Sequence, residues 1–386
     1  MPLLASMMMT LLAMTAQAQP ERALPFGDRE WTLQGEGATI VREGTREVLQ
    51  VESGFAHRRD VQLENGTIDF DVQLGKRRSF VYVYFRVVAN GEREEFYLRP
   101  HKSGLPDAVQ YAPVWQGRSA WQLHHGPGGT AAVAFEPATW THVRVVVQGE
   151  RAALFIGDMT NPALVVPRLA REPRAGSVSL GGFVPAGSPG TGPSARFANV
   201  VVRPDAAPFD FEAALRAGPS AGPAPADGPA TVLDAWAVSR SFVPKETVAP
   251  SLPPAEVAGD FRRLATGPDG LLELHRHVPV PQGASEAAAV ARVRVRPASA
   301  GVYAFDLGFS DVATVFLNGR AIFRGEASYS FDRPRREGLI GYDQARLYLP
   351  LAAGDNELAI VVSDSFGGWG LMGRFVGATG ITIEPK

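Results

Sequence analysis

Thr67, Asp69, Asp71 and Gln73 alternate with Ile68, Phe70, Val72 and Leu74. A period of two is the repeat of an extended strand with one wet face and one buried face. The pattern returns where Ala289, Ala291, Val293 and Val295 alternate with Arg292, Arg294 and Arg296, and again at Asn356–Val362. No stretch carries a long amphipathic helix; Phe209–Arg216 has room for one or two helical turns. Many short strands punctuated by Gly and Pro predict an all-β fold of two antiparallel β-sandwich (jelly-roll) domains rather than alternating strands and helices.

Phe80–Val88 is almost wholly apolar and reads as a central strand. Next to it, Glu95, Tyr97 and Arg99 share one face while Phe96 and Leu98 share the other. Further strands are expected at Trp121–His125, His142–Gln148, Ala152–Ile156, Ser177–Leu180 and Phe197–Val202. Later in the chain they are expected at Val302–Leu307, Arg346–Leu349, Met372–Val376 and Ile381–Glu384. The sharpest local signal is Val312–Leu317, then Asn318-Gly319, then Arg320–Phe323. Asn-Gly favours the left-handed dihedrals of a two-residue type I′ turn, which predicts a tight hairpin.

Leu3–Met14 is apolar apart from Ser6 and Thr10, and it leads into Ala16-Gln17-Ala18, a small-x-small cleavage site. This predicts a signal peptide over 1–18 and a periplasmic or secreted product; the run is too short for a membrane span. Ala217–Ala230 is dominated by Gly, Pro, Ala and Ser, the composition of a flexible spacer. The expected layout is therefore one sandwich over 19–208, a linker over 209–235 and a second sandwich over 236–386. Cysteine is absent, which removes thiol nucleophiles and thiolate metal sites. Net charge is -2, and no basic patch with interleaved aromatics offers a nucleic-acid surface. The pair Arg335-Arg336, followed by Glu337, reads as a solvated loop.

Asn65–Gln73, Glu95–Tyr111 and Trp121–Gly126 together resemble a concanavalin A/laminin-G-like jelly roll of the 3-keto-disaccharide hydrolase-like type, over approximately Trp31–Arg203. That resemblance implies two curved antiparallel sheets with ligands bound on the concave face or its rim; it does not imply activity. Leu307–Asp311, Val315–Gly319, Gly354–Leu358 and the rim segment Gly367–Gly370 resemble a galactose-binding-like jelly roll over Asp260–Pro385. Such modules accompany many glycoside hydrolases, often without catalysing anything themselves.

The densest polar and aromatic group is Glu95, Tyr97, Arg99, His101, Asp107, Gln110, Tyr111, Trp121 and Gln122. Flat rings stack on the apolar faces of sugars, and charged or amide groups meet hydroxyls with fixed geometry. Tyr97, Arg99, His101, Gln110, Tyr111, Trp121 and Gln122 are therefore expected ligand contacts. The plainer alternative pairs Arg99 with Glu95 across one face, with Tyr97 as packing between them. Glycoside hydrolysis would fall to Glu95 and Asp107, provided their carboxyls lie at a suitable separation. His124 and His125, adjacent on a strand, would point to opposite faces and could not ligate one metal together. No HExxH, Gly-x-Ser-x-Gly, Walker A or dinucleotide fingerprint is present, and Gly181-Gly182 to Gly192 reads as a Gly, Pro and Ser-rich loop.

Asp306, Asp311 and Asp364, with Asp343 and Asp355, are the groups that could hold a structural calcium, although their spacing fits no dedicated loop. In Asp364-Ser365-Phe366-Gly367-Gly368-Trp369-Gly370 the glycines permit tight turns. Trp369 is expected on a rim loop near Asp364, either plugging one end of the sandwich or offering a ligand or domain-contact platform. The functional expectation is an exported protein that binds glycans or glycosides; a glycoside hydrolase and a scaffold for another exported protein are the alternatives.

Overall fold

The computed structural model describes residues 21–35, 37–205, 208–217, 229–244, 259–330 and 337–385. The expected signal peptide, most of the Ala217–Ala230 spacer, and Arg335-Arg336 lie outside them. Strands dominate, and every strand pair described is antiparallel. The fold is two β-sandwiches, as the alternation predicts. Among the described residues the first pairs a nine-stranded with a seven-stranded sheet, and the second a five-stranded with a seven-stranded sheet.

Alternation fills both cores. In the first sandwich Val81, Val83, Phe85, Phe96 and Leu98 meet Ile68, Phe70, Val72, Val143 and Val145 from the facing sheet. In the second, Ala289, Ala291, Val293, Leu358, Ile360 and Val362 meet Phe305, Leu307 and Phe375. In the second sandwich the arginines that alternate with the core residues are half-exposed, and Arg294 and Arg296 pair with Asp355. Asn318 and Gly319 have φ of 50° and 79°, the left-handed pair of a type I′ hairpin.

Several local expectations change. Trp121–Leu123 is a turn rather than a strand, because Gln110 Nε2 donates to the carbonyls of Trp121 and His124, both at 2.7 Å. His124 and His125 are thus not strand neighbours. Gly181 and Gly182 belong to the strand Gly176–Phe183, and the Gly and Pro-rich loop begins after it. A Cβ on Gly181 would sit 2.1 Å from the Phe55 ring, so only glycine fits. Phe211–Ala217 is a helix, in keeping with the helical turns expected at Phe209–Arg216, and the Asp210 side chain before it accepts from Ala213 N at 2.9 Å. Ala230–Val232, at the other end of the expected linker, is a strand on Gly370–Val376.

The two sandwiches pack together. Trp115, Ala120 and Leu123 of the first join Leu271, Ile340 and Met372 of the second in a small shared core. A fully buried Gln122 fixes their relative position. Its backbone N donates to Gly367 O at 2.9 Å and its carbonyl accepts from Ile340 N at 3.1 Å. Its side chain donates to Glu337 O at 3.0 Å and accepts from Ser310 Oγ at 3.2 Å. Gly367 and Gly368, with φ of +95° and +140°, let this turn seat: a Cβ on Gly367 would lie 2.1 Å from Gln122 Oε1.

Candidate functional site

Strand Arg93–Leu98 runs between Phe80–Val87 and Val109–Trp115, with Tyr97 opposite Gln110 in register. Because Phe96 and Leu98 take the core side, Tyr97 and Arg99 emerge on the outer face beside Gln110. Tyr97 Oη donates to Gln110 Oε1 at 2.6 Å and Arg99 Nη2 donates to the same oxygen at 2.8 Å. Since Gln110 Nε2 also holds the Trp121 turn, one amide fixes a tyrosine, an arginine and a tryptophan-bearing turn.

The Arg99 guanidinium lies 5.1 Å from the Tyr97 ring centre and 3.2 Å from Asp107 Oδ2. Lys102 Nζ bridges Asp107 to Glu337 of the second sandwich, 2.7 Å from the latter. Beside them a cleft of ≈ 320 Å³ opens at the seam. Of its lining residues, Arg99, Asp107, Gln110, Trp121, His125 and Thr130 come from the first sandwich, Glu337 and Leu339 from the second. His125 Nε2 meets Ile340 O at 2.6 Å on the same side. At the cleft edge Trp121 meets Tyr329 and Phe366 of the second sandwich, with ring centres 5.6 and 6.2 Å away.

Four expected site residues, Arg99, Asp107, Gln110 and Trp121, are thus gathered into one cleft, with Tyr97 beneath them. The others are placed differently. Glu95 pairs with Arg93, at 3.3 Å, rather than with Arg99, and accepts from Ser119 Oγ at 2.7 Å. Burial pushes its carboxyl above the ordinary range. Glu95 lies four strand residues from Arg99, about 13 Å along the chain, and its partners differ from those of Asp107. A retaining pair would need its carboxyls about 5 Å apart and an inverting pair about 6.5–9.5 Å; Glu95 is held by Arg93 and Ser119, and Asp107 by Arg99 and Lys102. His101 takes Ser79 O, at 3.1 Å, and the Phe80 ring as partners. Burial, with the Arg78 charge added, lowers its imidazole to about 4.

Tyr111, Gln122 and Trp369 are corrections. Tyr111 has the parity of Phe96's neighbours and enters the core, where its hydroxyl donates to Glu94 at 2.7 Å and accepts from Ala170 N. Gln122 spends its polar groups on the seam. Trp369 is fully buried in the second core and donates from Nε1 to Val362 O at 3.0 Å, so it is the plug and not a platform. The candidate calcium carboxylates are engaged by the protein itself: Asp306 by Arg346 and Arg374, Asp311 by Ser365 and the Phe366 N–H, Asp364 by Arg118 and His275. Among the described residues no three His, Asp or Glu side chains are grouped to hold a metal ion.

Lys102, His125, Glu337, Tyr329 and Phe366 join the site without a signal of their own. Lys102 and His125 lay inside the polar run, but Glu337 is 235 residues from Lys102. Only the packing of the two sandwiches brings them together.

The geometry describes a two-sandwich β-protein with a polar and aromatic cleft at the seam. No family model matches the chain, and no curated protein matches it in sequence. Among solved structures it is similar to a carbohydrate-binding module from Bacillus subtilis, at 12% identity and a TM-score of 0.32, over 44% of this chain and 92% of that one. It is also similar to a Bacillus licheniformis β-glucanase, at 12% identity and a TM-score of 0.35, over 49% of this chain and 100% of that one. A third is a family 35 carbohydrate-binding module from an environmental isolate, at 20% identity and a TM-score of 0.19, over 26% of this chain and 72% of that one. Among the described residues no helix is long and apolar enough to cross a membrane.

Proposed function

We propose that the protein is exported and binds carbohydrate, holding a sugar unit in the seam cleft. The observation that carries this is the fixed juxtaposition of the Trp121 ring with Arg99, Asp107 and Gln110 around ≈ 320 Å³ of space. A sugar ring presents an apolar C–H face and a rim of hydroxyls. An aromatic side chain covers the first, and the charged groups of Arg99 and Asp107, held in place by Gln110 and Lys102, meet the second without further ordering. Export rests on the Leu3–Met14 run with Ala16-Gln17-Ala18. The two jelly-roll types that the sequence resembles belong to this same proposal.

Calorimetric titration of the mature protein against a broad panel of mono-, oligo- and polysaccharides tests it. Binding by the wild type, weakened about tenfold or more in Trp121→Ala, is the expected outcome. A wild type that binds nothing on the panel would remove the reading.

A further inference from the structure

We infer that Gln116 and Arg118, neither of which lines the cleft, are positioning residues: they clasp the second sandwich and hold the two cleft walls at one separation before any ligand arrives. This rests on the carbohydrate reading of the cleft. Strands Val109–Trp115 and Arg118–Ser119 form a hairpin joined by Gln116 and Gly117, with φ of 53° and 77°. That is a type I′ turn, and it puts glutamine in a left-handed conformation that a side chain disfavours. Gln116 N donates to Glu92 Oε1 at 2.7 Å, which fixes the tip within its own sandwich.

The tip reaches the second sandwich through its side chains. Gln116 Nε2 donates to the carbonyls of His275 and Val278 at 2.8 and 3.1 Å, and Gln116 Oε1 accepts from Val280 N at 2.9 Å. Leu274–His277 is a single helical turn, and a helix end leaves carbonyls without partners of their own. Gln116 supplies the donors from outside. Arg118 Nη2 donates to Ala284 O at 3.0 Å, and its Nη1 lies 3.4 Å from Asp364 Oδ2. Asp364 has no exposed surface, so parting the sandwiches would take the arginine away from a buried carboxylate and leave it His275, at 3.2 Å. The clasp and the cleft belong to one stretch of chain. Ala120 N donates to Pro113 O at 3.0 Å, tying the hairpin to the turn that carries Trp121, five residues after Gln116. Glu337 and Leu339 belong to the sandwich that the clasp holds, so the same contacts set how far they stand from Trp121. A cleft with fixed walls takes its ligand without a closing step; once the clasp is loosened, only the docked fraction of molecules can bind.

The chain has no cysteine, so Val201→Cys and Val302→Cys place one spin label on each sandwich at an exposed position. Double electron–electron resonance should give one narrow distance distribution, unchanged by a glycan that binds in calorimetry. Adding Gln116→Ala and Arg118→Ala should broaden the distribution, and the glycan should narrow it again. In stopped-flow mixing the glycan should associate with that variant about fivefold or more slowly and leave at the wild-type rate, since only the docked fraction takes it up. Loss of a direct contact would speed dissociation. Gln116→Ala alone, a change at an exposed turn, should show the same pattern to a smaller degree and serves where the double change does not fold. A wild-type distribution that is broad, or that moves when the glycan binds, overturns the clasp. So does a folded variant whose distribution stays as narrow as the wild type's. If no glycan binds, the carbohydrate reading falls, and the label distances by themselves decide the clasp.

Discussion

His124 Nε2 of the first sandwich faces Glu273 Oε1 of the second at 3.1 Å, and Trp115 Nε1 donates to that same oxygen at 2.8 Å. Burial by itself would lower the His124 imidazolium, but the Glu273 charge and hydrogen bond outweigh it and leave His124 raised above 6.5. Burial likewise opposes the Glu273 charge, and His124 outweighs it, leaving Glu273 lowered below 4.5. The His124 contribution is complete below about pH 6.5 and is lost as pH rises through its raised value; the Glu273 contribution is complete above about pH 4.5 and is lost as pH falls through its lowered value. The seam should be tightest between these limits. Thermal unfolding of the wild type and His124→Gln from pH 5 to 9 checks it: the advantage of the wild type should shrink above pH 6.5. Parallel profiles would show that the pair is not linked to protonation.

Glu94 is fully buried on the core side of its strand, receiving hydrogen bonds from Tyr111 Oη at 2.7 Å and Arg171 N at 3.2 Å. Burial pushes its carboxyl up to about 7, against the pull of the Tyr111 hydroxyl. A folded value above the unfolded one favours the fold at low pH and loses that benefit as pH rises from 4.5 to about 7. At about 1.4 kcal/mol per pH unit, the buried carboxylate costs on the order of 3 kcal/mol at pH 8. Glu94→Gln should therefore raise stability at pH 8 and change little at pH 4. Urea unfolding at the two pH values measures this, and equal effects at both would contradict it.

Trp369 fills the end of the second core with no exposed surface and meets the His275 ring with centres 5.6 Å apart. Trp369→Ala leaves a void that strands cannot close, and it should cost about 3–5 kcal/mol. Denaturant titration reads the loss. A variant as stable as wild type would return Trp369 to the surface.

Gln122→Ala removes one donor and one acceptor from the seam, taking from Glu337 O the Gln122 donor and leaving the buried Ser310 Oγ only Asp311 Oδ1, at 3.5 Å. Leaving such groups unpaired should cost about 1–3 kcal/mol. In calorimetry the melting of the two sandwiches should separate further in the variant than in wild type. An unchanged trace would mean that the apolar contacts around Leu123 hold the seam by themselves.

The fold is readable where a strand has one wet face. Thr67–Leu74 and Asn356–Val362 declare themselves because solvent enforces the alternation. Strands such as Ala38–Glu43 and Val109–Trp115 are harder, the first half-wet on both faces and the second buried on both, so neither alternates. Trp121–His125 has strand composition yet turns, because the decisive bonds come from Gln110, far enough away that no local pattern records them. The same reasoning divides the site. Arg99, Asp107, Gln110 and Trp121 stand close in sequence and can be read as a cluster. Glu337 and Phe366 enter from the second sandwich, and only the Gly367-Gly368 pair hints at a close approach there. Trp369 was expected as plug or platform, and the choice depends on packing that the sequence does not state.

Jelly rolls are commonly regarded as interchangeable cassettes, and a chain with a Gly and Pro-rich spacer invites that view. Gln122 argues otherwise. Its four bonds to the second sandwich, two from the backbone and two from the side chain, form only against that particular neighbour. Recombination that exchanged either half would leave those groups facing unmatched atoms and would strip the cleft of Glu337 at the same stroke. The two sandwiches are therefore heritable as a pair: change on one side of the seam has to be answered on the other.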